Sequence, residues 1–232
     1  MTGDFQVFGL THQLILASTV GLGWTLGHWA RGRDRAATFL RRFLGLFLIG
    51  NEIVWYIWRY STEGFRFPEG LPLQLCDLLV WFTAIAALIR NQWAFEFAYF
   101  AGLAGAGMAL LTPDLWAPWP SYPSIYYFLV HSLIMTTILF LLWARLAQPR
   151  PGCLWRVFAV VNAYAALMGC FNWIFGTNYM YLCAKPKAAS VLDWFGPWPV
   201  YIFIGELFAL LLFALLWLPW WWRKPPSVVT AR

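Results

Sequence analysis

Cys76, in the run Leu71-Pro72-Leu73-Gln74-Leu75-Cys76-Asp77-Leu78, and His131, in Tyr127-Phe128-Leu129-Val130-His131-Ser132, are the two residues best suited to covalent chemistry. A thiol is a poor nucleophile until ionised, and a histidine within hydrogen-bond reach can take its proton. Acyl transfer further needs donors for an oxyanion. Backbone groups near Leu73–Leu75, or Asn178 and Tyr179, are the candidates. A carboxylate such as Glu52 or Asp77 could orient the imidazole, the third role in triad logic.

These residues sit in a chain built for a membrane. Of its 232 residues 61% are hydrophobic and 11% charged, and the mean hydropathy is +0.61. Soluble domains carry about 25% charged residues. Seven runs, near 10–29, 38–57, 71–89, 93–112, 124–143, 157–175 and 198–218, are long enough for the roughly 20 residues of a spanning helix. The expected fold is therefore all-α, a polytopic bundle of seven transmembrane helices forming a single integral membrane domain over residues 1–232. The first run is read as a span rather than a signal peptide, because Asp4 is the only charge before it and no small-residue cleavage site follows.

Orientation follows from the basic residues. With the first loop called inside, Arg31, Arg33, Arg35, Arg41, Arg42, Arg90, Arg145, Arg150, Arg156, Arg223, Lys224 and Arg232 lie inside, and only Arg59, Arg66, Lys185 and Lys187 lie outside. The positive-inside rule then predicts an N-out, C-in protein. The net charge of +6 thus reads as topology rather than as a nucleic-acid surface. Tryptophans at span ends, among them Trp29, Trp116, Trp119, Trp143, Trp198, Trp217, Trp220, Trp221 and Trp222, read as interfacial anchors.

With spans and orientation in hand, depth can be assigned. At 1.5 Å of rise per residue, Cys76 lies roughly 7 Å below the outside face and His131 roughly 10 Å. Glu52, Asp77, Glu206 and Asn172 fall in the same layer, and His12 begins the first span there. Ionisable groups in hydrocarbon are costly, so such a layer is a functional-site hypothesis. The plainer alternatives are that Cys76 is a small buried hydrophobe and that His131 is satisfied by a neighbouring helix. Glu96 and His28, near the inside ends of their spans, read as interfacial. Among the other cysteines, Cys153 lies in an inside loop, and a bridge among Cys76, Cys170 and Cys183 is open. Gly102, Gly105 and Gly107, with Ala101, Ala104 and Ala106, make a small-residue face that lets a neighbouring helix approach closely. Segment 113–123 holds four prolines. Segment 176–197, longer than ordinary loops, points to a lid or site-forming role.

Phe8-Gly9-Leu10-Thr11-His12, Arg41-Arg42 with Glu52, Leu71-Pro72-Leu73-Gln74-Leu75-Cys76-Asp77, His131, and Asn178-Tyr179-Met180 through Lys185-Pro186 to Gly196-Pro197-Trp198-Pro199 resemble the YwaF-like bacterial integral membrane proteins. Those belong with the transmembrane protein 164 family. The resemblance implies a membrane acyltransferase that moves acyl chains between phospholipids and lysophospholipids without acyl-CoA. By position the acyl-carrying cysteine falls on Cys76 and the assisting histidine on His131. In layout the family is also similar to androgen-induced fatty-ester hydrolases, which use a threonine in place of the cysteine. Gln74 departs from the histidine often found at that place in bacterial relatives.

The expected activity is that of a lipid acyltransferase, or a phospholipid or fatty-ester hydrolase, using a Cys76–His131 dyad in the outer leaflet. Glu52, Asp77, Gln74, His12, Asn178, Tyr179, Asn172 and Glu206 are the supporting residues. Phospholipids or lysophospholipids are the expected partners; no cofactor, metal or nucleic acid is expected. The resemblance implies a bacterial cytoplasmic membrane. Two other classes stay open: a metal-dependent membrane hydrolase, since Cys, His and carboxylates are also zinc ligands, and a non-enzymatic transporter or binding protein.

Overall fold

In the computed structural model the chain is described over residues 5–221, so Asp4, Trp222, Arg223, Lys224 and Arg232 lie outside the described residues. These fold into helices without strands. The long elements are α1 (Leu10–Ala30), α2 (Asp34–Glu63), α3 (Leu75–Ile89), α4 (Gln92–Leu111), α5 (Tyr122–Trp143), α6 (Cys153–Phe175) and α7 (Val200–Trp221). Among the described residues, α4, α5, α6 and α7 are long and apolar enough to cross a membrane, and α3 is apolar but shorter.

Local chemistry sets the helix ends. Asn91 caps α4 by accepting the Ala94 N–H at 2.9 Å. Pro123 sits in the first turn of α5, where its missing N–H costs nothing. Gly176, at φ +69°, closes α6 in the left-handed conformation that glycine adopts without strain. Arg41 of α2 donates to the carbonyls of Ala87 and Leu88 at 2.8 and 2.6 Å, satisfying orphan acceptors at the end of α3. Four expected boundaries move by four residues or more; among them α2 begins at Asp34 instead of 38 and α6 at Cys153 instead of 157. The helix predicted from 71 begins at Leu75, and α2 runs past 57 to Glu63.

Helix α5 is the hub. It packs against α1, α2, α3 and α4, and Ile134, Ile138, Phe140 and Leu141 are fully buried among Leu48, Leu79, Phe95 and Phe100. Glycine permits two of these approaches. A Cβ on Gly27 would stand 2.6 Å from that of Trp143, and one on Gly102 would stand 2.7 Å from Ile138 Cδ1. By contrast α7 exposes Phe203, Leu207, Leu211, Leu215 and Leu218, an apolar stripe at four-residue spacing that water would not tolerate and acyl chains would.

Glu96 corrects the interfacial reading. It is fully buried and accepts from Arg150 Nε at 2.7 Å, Arg150 Nη2 at 3.1 Å, Gln92 Nε2 at 3.1 Å and Arg156 Nη2 at 3.4 Å. A buried carboxylate needs such pairing. It fastens the loop before α6 to α4. His28 is instead exposed, its Nδ1 3.0 Å from the Trp24 carbonyl.

Candidate functional site

The backbone before α3 is extended, and several side chains hold it so. Pro72 brings no N–H, and Gln74 has ψ 152°. Tyr179 Oη reaches the carbonyls of Pro68 and Leu71 at 2.7 and 3.0 Å, and Tyr164 Oη donates to the Leu73 carbonyl at 2.8 Å. Asp77, third residue of the helix, turns back to accept the Gln74 N–H at 2.8 Å, the carboxylate half of a capping box. Helix α3 therefore starts four residues later than its apolar run, and Cys76 is its second residue. That position lies inside the first turn, where the helix dipole favours negative charge.

From α5, nine residues past its own start, His131 faces that first turn. Its Nε2 is 3.1 Å from Cys76 Sγ. Its Nδ1 is 2.6 Å from the carbonyl of Tyr127. A carbonyl only accepts, so the hydrogen-bond network assigns the proton of the neutral ring to Nδ1. The unprotonated Nε2 is then the nitrogen that meets the thiol. The group orienting the imidazole is thus a backbone carbonyl, four residues back on the same helix, and neither Glu52 nor Asp77. The Tyr127 ring lies against His131, centroids 4.4 Å apart and tilted by 45°, and its hydroxyl donates to the Ala109 carbonyl at 2.9 Å.

Cys76 opens onto a cleft of about 320 Å³. Leu75 and Cys76 form one wall, the α4 residues Ala101, Ala104, Gly105 and Ala109 a second, and Gly205, Phe208, Ala209 and Leu212 of α7 a third. The small residues of α4 divide two tasks. Gly102 admits α5, whereas a Cβ on Gly105 would meet nothing closer than 4.0 Å. The expected close packing thus holds at Gly102, and at Gly105 the same stripe leaves space. A π-helical turn at Ala98–Gly102 lies at this wall, a feature common at functional sites. The long connection after α6 completes the lining through Tyr181, Pro186, Val191, Leu192 and Phe195. Tyr181 Oη donates to Asp114 Oδ2 at 2.9 Å, and Asp114 Oδ1 accepts the Ala188 N–H at 3.2 Å. Outside the apolar spans, burial and the Asp114 carboxylate raise the Tyr181 phenol above its ordinary range, so it stays a donor.

The other residues named from sequence are brought to the same end of the bundle, in different roles. Glu52 is buried in α2, its Oε2 accepting Tyr126 Oη at 2.5 Å, while Oε1 has no protein partner. Asp77 Oδ1 lies 3.3 Å from Tyr56 Oη. Gln74 Oε1 accepts the Met180 N–H at 3.0 Å, so it ties the long connection to the start of α3. Asn178 is spent within that connection, its Oδ1 accepting the Cys183 and Ala184 N–H groups and its Nδ2 donating to the Ala184 carbonyl at 2.8 Å. Tyr179 spends its N–H on Asn172 Oδ1 and its hydroxyl on the pre-α3 segment, and Asn172 returns Nδ2 to the Tyr179 carbonyl. Neither Asn178 nor Tyr179 is therefore a spare oxyanion donor. His12 is buried with Nε2 2.6 Å from the Leu110 carbonyl and Nδ1 accepting the Phe8 N–H at 2.8 Å, so it locks α1 to the end of α4. Glu206 of α7 has a buried oxygen without a protein partner and is not among the cleft residues.

All four cysteines are free thiols. Among the described residues no three His, Cys, Asp or Glu side chains converge as a metal-ligand group. The residues that sequence reading missed are Tyr127, Tyr181 and Asp114. Tyr127 was findable, since the fourth residue before a helical histidine supplies the nearest carbonyl. Nothing in the sequence pairs the other two across two irregular segments.

Four helices long and apolar enough to cross a membrane, with an exposed apolar stripe on α7, define an integral membrane protein. The chain matches the TMEM164 family over residues 7–217 and belongs to that family. Among curated proteins and among solved structures, nothing matches.

Proposed function

We propose that this chain is a membrane acyl-transfer enzyme, a phospholipid acyltransferase or hydrolase with Cys76 as nucleophile and His131 as base and acid. The observation that carries this reading is the 3.1 Å approach of Cys76 Sγ to His131 Nε2 at the rim of a largely apolar cleft. His131 Nε2 takes the thiol proton as sulfur attacks the ester carbonyl carbon. The carbonyl electron pair moves onto oxygen, where the amides of Leu75 and Cys76, first-turn groups without intrahelical acceptors, are the nearest donors by sequence. Collapse breaks the carbon–oxygen ester bond, and the leaving alcohol takes the proton from His131. A thioester on Cys76 remains. A second hydroxyl, of a lysophospholipid or of water, gives its proton to Nε2 as its oxygen attacks the thioester carbon; the carbon–sulfur bond then breaks and sulfur takes the proton back from His131.

The reading includes a topology. All seven long helices are spans in this proposal, with the amino terminus and the Cys76 end outside and the carboxyl terminus inside. Support comes from the succession of seven long helices and from the twelve-to-four bias of basic residues. The substrate chain enters sideways between α4 and α7. A bacterial cytoplasmic membrane and membership of a YwaF-like branch belong to the same proposal.

The test is turnover of labelled phospholipid by purified protein. Cys76→Ala should abolish it, and Cys76→Ser should retain little, because a hydroxyl is far harder to deprotonate. His131→Ala should lower it by about 10²–10⁴-fold. Cys153→Ala should change almost nothing, since that thiol is buried at the other end. Undiminished turnover in Cys76→Ala overturns the proposal.

A further inference from the structure

We propose that the end of the bundle opposite Cys76 carries a binding site for a phosphate-bearing anion, centred on Arg31 and Arg145. These two residues line one cavity of about 880 Å³ with Gln92, Trp143, Gln148 and Trp220. The cavity lies where α1, α5 and α7 end and α4 begins, so it belongs to the other face of the molecule.

Several arginines at this end are already engaged, Arg41 among them on the Ala87 and Leu88 carbonyls. Arg150 and Arg156 share buried Glu96 as their ion-pair partner and lie over the Trp93 ring. Arg33 spends a donor on the Trp29 carbonyl, and Arg90 lies 3.5 Å from the Leu146 carbonyl. Arg31 and Arg145, among the described residues, enter no ion pair. Residues 222–232 add Arg223, Lys224 and Arg232 to the sequence and no Asp or Glu side chain. Two guanidinium forks facing one cavity without a carboxylate suit a phosphate, whose oxygens accept bidentate pairs. The flanking tryptophans suit the headgroup level of a bilayer. Trp220 is itself positioned there, its Nε1 donating to Tyr99 Oη at 3.0 Å. Basic pockets between helix ends are the recognised geometry for anionic headgroups.

The same phosphate chemistry could arrive on a lipid or free in solution, and the experiment separates them. Purified full-length protein is placed in nanodiscs of phosphatidylcholine with a minor fraction of phosphatidylglycerol, and retained lipids are counted by native mass spectrometry. In the second arm, inorganic phosphate is titrated onto protein in phosphatidylcholine nanodiscs and the melting temperature is read. Two unpaired arginines near the surface predict phosphatidylglycerol enrichment of about tenfold or more. The double variant Arg31→Gln/Arg145→Gln should lose it, Arg31→Lys/Arg145→Lys should keep part, and Arg66→Gln at the far end should keep all. Enrichment alone identifies a lipid headgroup. Phosphate stabilisation alone, removed by the glutamine pair, identifies a soluble anion. Neither effect in the wild type, or either one persisting in the glutamine pair, overturns the site. Should the glutamine pair fail to fold, the wild-type arms and the lysine pair decide in the same way.

Discussion

In the proposed mechanism His131 acts as a base because of the group on its other nitrogen. The Tyr127 carbonyl fixes the tautomer that presents a lone pair to Cys76, so no carboxylate is needed in that role. Glu52→Gln should therefore retain most turnover, because the amide can still accept from Tyr126 and nothing in the dyad changes. A loss as large as that of His131→Ala, measured in the same assay, would return the carboxylate to the mechanism. Tyr126→Phe acts on stability instead. It leaves a fully buried carboxylate without its protein donor and should cost about 1–3 kcal/mol, read as a lowered melting temperature with turnover intact below it. The pairing of Cys76 with His131 was legible in the sequence as shared depth, because helical rise converts residue number into height. Which side chains face each other was not legible. The tyrosines that claim Glu52 and Asp77, Tyr126 of α5 and Tyr56 of α2, both come from neighbouring helices, and no spacing rule connects them.

At the scale of elements, the site depends on a helix that starts late and a second helix that keeps its distance. Asp77 holds the start of α3, so Asp77→Ala should cost about 1 kcal/mol of helix-end stability. It should also lower turnover without changing which residue is acylated. The α4 stripe gives a sharper contrast. Gly105→Leu would place a side chain into the open cleft, so it should cut turnover of long-chain phospholipid while sparing a short-chain soluble ester. Gly102→Val would instead strike Ile138 of α5 and should lower the melting temperature. Equal loss on both esters with an intact fold for Gly105→Leu would remove the cleft from the substrate path. The positions of the long helices were readable from apolar run length, since the runs are separated by charge and proline. The start of α3 was not, because Leu71 and Leu73 continue its apolar run and partners far away in the chain, such as Tyr164 and Tyr179, hold that segment extended.

The whole molecule presents two chemically different ends, a dyad under an aromatic-lined connection at one and clustered arginines at the other. The proposed orientation predicts that, in a Cys76→Ala/Cys170→Ala background, an impermeant thiol reagent labels exposed Cys183 from the outside only. Labelling from the side of Arg145 and Arg150 would invert the topology. The long connection was recognisable as site-forming from its length, yet its actual role, lining the cleft through Tyr181 and Val191 to Phe195, depends on the Tyr181–Asp114 bond between two irregular segments. The central claim is covalent, and it is tested most directly by intact-protein and peptide mass spectrometry after incubation with phospholipid in nanodiscs. A single hydroxylamine-labile acyl adduct on the peptide carrying Cys76, absent in Cys76→Ala and strongly reduced in His131→Ala, is the predicted result. Phospholipid turnover without any adduct on Cys76, or an adduct that forms equally well without His131, would contradict it.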